Sequence, residues 1–177
     1  MSDSLINFHR AVSDAEQLLS CYDTLNRSSE EQAPEVLKRA TLIMILTAWE
    51  TYVEDMATEL FANQFGALKG SRVGQFLEEQ FEQRLKVFNN PDSLKTKRLF
   101  VEFFGVDVTE SWVWNNYQDT DRARSTLNGW IKRRGEAVHR AQVDAAQPDI
   151  VKRDELEKCL RFFSGLAIAT DKALESA

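Results

Sequence analysis

Apolar residues recur at spacings of three and four through six stretches of the chain, the period of helices that bury one face. The first stretch runs from about Ser4 to Leu25, where Leu5, Phe8, Val12, Ala15, Leu18, Leu19 and Tyr22 share a face. The second runs from about Pro34 to Phe65. Its centre, ATLIMILTAW, is apolar nearly all round, so it is expected to be the central helix, buried on most sides. A third carries Phe76, Leu77, Phe81, Leu85 and Phe88. A fourth carries Leu94, Leu99, Phe100 and Phe103 and stops at Gly105. The stretch VDVTESWVWNNYQ reads as loop with at most a short helical turn. The fifth helix runs from about Thr120 to Arg140. The sixth runs from about Lys152 to Leu174, with Leu156, Leu160, Phe163, Leu166, Ile168 and Ala169 inward.

The three prolines punctuate this pattern. Pro34 is read as a first helical residue, followed by Glu35 at the positive helix end. Pro91 follows Asn90, which is read as a helix cap. Pro148 falls in the polar stretch AAQPD. No run alternates apolar and polar residues between turn signals, so no strand is expected. There is no internal repeat and no linker. The expected fold is all-α: a single bundle of five or six helices in one domain over residues 1–177.

With 43% hydrophobic and 28% charged residues, the composition suits a globular domain with a real core. The longest uncharged run, Ala40 to Trp49, is far short of the roughly 20 residues of a membrane helix. The start MSDSLINFHR lacks the basic and apolar regions of a signal peptide, so the expected location is the cytoplasm. Cys21 and Cys159 have no metal-type spacing and are read as free thiols. His9 and His139 are the only imidazoles, so no metal or other cofactor is expected.

The formal charge of −6 argues against general coating of nucleic acid. Its distribution changes that picture. From Arg122 to Arg140 the basic residues are Arg122, Arg124, Lys132, Arg133, Arg134 and Arg140, and Glu136 is the only acid, a local charge of +5. Such a run is either a solvated helix face or a patch for an anionic partner.

No phosphate-cradling glycine loop, HExxH helix or arguable Ser-His-Asp spacing is present. Glu78 and Glu79 read as solvated surface. Trp49, at the end of the apolar run, reads as core with an indole N–H that needs a partner. Glu50 is read structurally, as the first exposed residue of its turn; the alternative is that it faces a polar pocket. In LNGWIKRRGEAVHR, the residues Leu127, Trp130, Ile131, Arg134 and Val138 form one stripe. Arg134 therefore lies on a face that otherwise packs inward, and its guanidinium must find an anion, acceptors or a cleft. His139 lies five residues on, about 140° around an ideal helix. One straight helix does not bring the two side chains together; a helix end or a second copy has to.

The segment Arg134-Gly135-Glu136-Ala137-Val138-His139 resembles the Arg-x4-6-His motif of HEPN domains. The buried helix TLIMILTAWETYVEDMATELF, the FFGVDVTESWVW stretch and the leucine-rich last helix are similar to those of the HEPN group called RiboL-PSP, so the resemblance covers the chain from about Pro34 to its end. It implies a metal-independent endoribonuclease, commonly a toxin or defence effector, with Arg134 and His139 catalytic and RNA as substrate. Lys132, Arg133 and Arg140 would hold flanking phosphates. It also implies a homodimer with the cleft between protomers and, in toxin systems, a cognate antitoxin. Gly135 departs from the family, which usually has a polar residue there, often Asn or Asp. Glycine either permits close approach of a partner or phosphate, or marks a copy whose catalysis has been lost. Glu136 is open between a functional role and simple pairing with Lys132 or Arg140. The competing reading is a non-catalytic interaction or dimerisation module on the same bundle, which the acidic overall charge favours.

Overall fold

The computed structural model describes residues 1–28, 33–139 and 150–175. Among these residues six α-helices occur in order: α1 (Asp3–Ser28), α2 (Glu35–Phe65), α3 (Arg72–Lys86), α4 (Ser93–Phe104), α5 (Thr120–His139) and α6 (Arg153–Glu175). Short 3-10 turns occupy Gly66–Leu68 and Val108–Ser111, and no strand occurs among the described residues. The all-α bundle expected from periodicity is the fold found. Pro34 occupies the N-cap position of α2 instead of its first helical residue. Pro148 lies outside the described residues.

The centre of the bundle is α2, which packs against α1, α4, α5 and α6. Leu42, Ile45, Leu46, Trp49, Tyr52, Val53, Met56 and Ala57 are all buried on it. Against them lie Leu5, Phe8, Val12, Ala15 and Leu19 of α1 and Leu156, Phe163, Leu166 and Ala167 of α6. Ile168, expected inward on α6, is exposed, because it falls on the outer face that it shares with the exposed Arg161 and Lys172. Buried aromatic polar atoms are satisfied, as burial requires. Tyr52 Oη donates to Ala167 O at 3.0 Å, and Trp112 Nε1 donates to Thr170 Oγ1 at 2.9 Å.

The loop between α3 and α4 and the first residue of α4 are tied to two other helices. Trp49 Nε1 on α2 donates to Pro91 O at 3.0 Å. From α5, Asn128 Oδ1 accepts from Ser93 N at 3.0 Å. Asn90 does not cap α4. Asp92 does, its Oδ1 accepting from Lys95 N at 2.8 Å. Asn90 instead adopts φ 46°, a left-handed conformation that asparagine tolerates better than most residues.

Candidate active site

Arg134 projects from α5 toward α2, as the apolar stripe around it requires. Leu127 and Trp130 on that stripe are buried, and Ala137 packs beside them. Val138, expected inward, is 56% exposed. The guanidinium finds its acceptors inside the chain. Arg134 Nη1 donates to Glu50 Oε2 and to Asn90 Oδ1, each at 2.7 Å. Nη2 points to Thr47 Oγ1 at 3.4 Å, a much weaker contact. Glu50 Oε1 accepts from Asn90 N at 2.7 Å. Glu50, Asn90 and Arg134 therefore close a three-membered ring of hydrogen bonds, all three charge-assisted because each has the guanidinium as donor or the carboxylate as acceptor. The Arg134 and Glu50 side chains are each 16% exposed, so the pair is largely but not wholly withdrawn from water.

Glu50 thus faces a polar pocket and is not the first exposed residue of its turn. One turn further along α2, burial raises the Glu54 carboxyl above the ordinary glutamate range, and the neighbouring Glu50 charge adds to it. Trp49 and Glu50 act as a pair. The indole takes the Pro91 carbonyl and the carboxylate takes the Asn90 amide, so two adjacent α2 residues hold two adjacent loop residues.

His139 is exposed, at the C-terminal end of α5. From Arg134 it is displaced about 7.5 Å along the axis and about 140° around it on ideal geometry. It shares the outward face of α5 with the exposed Arg122, Ser125, Asn128, Gly129, Lys132 and Glu136, whereas Arg134 turns toward α2. Within one chain the two motif residues face different surroundings. Added at Gly135, a Cβ atom would meet nothing within 4 Å among the described residues, so their packing does not require glycine there.

The basic cluster is less positive in space than in sequence. Arg124 pairs with Glu110 at 2.7 Å and Asp121 at 3.0 Å. Arg133 pairs with Glu155 at 2.7 Å and lies over the Trp130 ring at 5.0 Å. Burial pushes the Glu155 carboxyl up, but the Lys152 amide and Arg133 hold it below its ordinary value. Lys132 and Glu136 are both exposed and do not pair with each other. Among the described residues, Arg122 and Lys132 are the basic side chains of this stretch left without a carboxylate. Arg140 lies outside the described residues.

Sequence reasoning singles out Arg134 and His139 but misses Asn90 and Thr47 as partners. The available signal is Asn before Pro in a short loop. It admits a cap or a left-handed residue equally well, and the structure takes the second. Among the described residues, no group of three or more His, Cys, Asp or Glu side chains gathers as a metal-binding cluster, and no helix is long and apolar enough to cross a membrane. Burial pushes the Cys159 thiol well up, while Cys21 is exposed.

The family model described as RiboL-PSP-HEPN matches residues 10–176. No curated protein and no solved structure gives a match.

Proposed function

From the premise that this chain belongs to the RiboL-PSP-HEPN family, we propose that it is a metal-independent endoribonuclease whose catalytic residues are Arg134 and His139. The observation that carries this reading is the guanidinium of Arg134. It is anchored on one side by Glu50 and Asn90, on the same helix whose last described residue is an exposed histidine. The reaction is attack of an RNA 2′-hydroxyl on the adjacent phosphorus. A base removes the hydroxyl proton, the P–O5′ bond breaks, and an acid protonates the departing 5′ oxygen. The products are a 2′,3′-cyclic phosphate and a 5′-hydroxyl. Imidazole serves either proton transfer near neutral pH. The guanidinium stays charged and stabilises the negative charge that builds on the non-bridging oxygens.

One chain offers one motif histidine, turned away from Arg134. A two-fold axis beside α5 would supply a second His139 and a second Arg134 to a common cleft, so the working unit in this reading is a homodimer. Lys132, Arg133 and Arg140 are the residues proposed for flanking phosphates. Lys132 is the freest of the described ones; Arg133 would first have to leave Glu155. A cytoplasmic toxin or defence effector, held in check by an antitoxin, is the role that fits such an enzyme.

The chemistry is tested on the wild-type protein with single-stranded RNA in EDTA. Cleavage with 2′,3′-cyclic phosphate ends supports it. Activity that vanishes in EDTA and returns with magnesium overturns it.

One observation favours the alternative, a non-catalytic interaction module. The Arg134 charge is already met by Glu50, and Arg124 and Arg133, like it, are paired with carboxylates of the chain, three of the five described basic residues of the stretch. In that case Arg134→Ala lowers stability without altering any RNA-directed activity.

A further inference from the structure

An arginine that must grip a phosphate has to keep part of its guanidinium free and all of it oriented. The group carries one N–H on Nε and two on each terminal nitrogen. Arg134 commits both N–H groups of Nη1, one to Glu50 Oε2 and one to Asn90 Oδ1, at 2.7 Å each. Nη2 makes only the 3.4 Å contact to the exposed Thr47 hydroxyl. Nε makes no hydrogen bond to a described residue, and it is not among the buried polar atoms left without a partner. The Nε–Nη2 edge is the fork that binds two oxygens of a phosphate in parallel, and among the described residues only the weak Thr47 contact engages it.

The anchor is itself anchored. Glu50 uses its second oxygen on Asn90 N, so its carboxylate cannot turn without breaking that bond as well. Asn90 is held at φ 46°, and Trp49 fixes the next residue through Pro91 O. A non-glycine residue in the left-handed region costs free energy unless something holds it there. Here the conformation aims Oδ1 at Nη1.

Resting on the nuclease reading, we propose that Glu50 and Asn90 are positioning residues. They take up Nη1 of Arg134, neutralise and orient the guanidinium, and present its Nε–Nη2 edge to the phosphate of the substrate. They do not touch the reacting atoms themselves.

Two substitutions test this with little change of shape. Glu50→Gln keeps the volume but leaves one acceptor for two donors. Asn90→Gly removes the side-chain acceptor and is at ease at positive φ, so the loop backbone is preserved. The first readout is cleavage of a single-stranded RNA oligonucleotide. Both variants should lose at least about tenfold in kcat with KM within about threefold of wild type, a loss of about 1.4 kcal/mol or more. Combined with Arg134→Ala, neither should cause any further loss. The second readout is independent of activity: the guanidinium resonances of Arg134 in 15N-arginine-labelled protein, assigned by their loss in Arg134→Lys. Wild type should show Nη1 protons protected from exchange and rotation, and both variants should lose that protection.

If Arg134→Ala is inactive while Glu50→Gln and Asn90→Gly keep wild-type kcat, the inference is wrong and the nuclease reading stands. Losses that add to that of Arg134→Ala also overturn it. If wild type and Arg134→Ala do not differ on RNA, the nuclease reading fails. The labelled spectra then decide the positioning claim alone, and unchanged Arg134 resonances in both variants overturn it. Should Glu50→Gln fail to fold, Asn90→Gly carries the same test.

Discussion

Trp49 Nε1 donates to the backbone oxygen of Pro91 at 3.0 Å, one residue along α2 from the carboxylate that receives the amide of Asn90. The core and the candidate site therefore share a bond. The same indole packs against Tyr52, Trp112 and Phe163. Trp49→Phe deletes the donor, leaves a buried carbonyl without its partner and opens a small cavity. The expected loss of stability is roughly 2 kcal/mol or more, read as a lower denaturation midpoint. A variant as stable as wild type would show that the loop is held by something else.

Gly135→Ala should raise helix stability by about 0.5–1 kcal/mol, since a Cβ there meets nothing within 4 Å among the described residues. Thermal melting of dilute protein measures this. If stability rises while dimerisation or RNA cleavage falls, the glycine serves close approach by a second copy or a phosphate. If all three hold or improve, it has no such role.

The helices are legible in the sequence because a three-four period survives whatever the neighbours are. The inward face of Arg134 is legible for the same reason. Its partners are not. Glu50 lies 84 residues away in sequence and Asn90 lies 44, and only packing of α5 on α2 brings them together. The local +5 misleads for a related reason. The carboxylates that neutralise Arg133 and Arg134 come from α6 and α2, which no window along α5 can show. Asn90 reads as a cap because asparagine before proline favours both a cap and a left-handed turn, and the carboxylate that selects the turn is distant.

Acid should weaken the α1–α6 contact. Arg153 donates to Asp23 Oδ1 at 3.0 Å, and this bond holds the Asp23 carboxyl below its ordinary value. A carboxyl depressed in the folded state contributes stability above its unfolded pKa of about 3.9 and loses it as pH falls through the lower folded value. Wild type should therefore out-melt Asp23→Asn at pH 6, and the gap should close below about pH 4. A gap that is constant with pH would assign the difference to packing alone.

The shared site predicts a two-fold dimer at micromolar concentration in sedimentation. Heterodimers of wild type with His139→Ala should keep far less than half the wild-type rate, because base and acid come from different copies. A fully active monomer, or heterodimers at half rate, would contradict the shared site.

The most direct test of the central claim is the rate of single-stranded RNA cleavage in EDTA by wild type, Arg134→Ala and His139→Ala, each checked for folding by circular dichroism. Wild type should cleave, and both variants should lose at least about a hundredfold, since general acid–base catalysis and charge stabilisation are each worth about that much or more. Folded Arg134→Ala or His139→Ala protein that cuts RNA at the wild-type rate would contradict it.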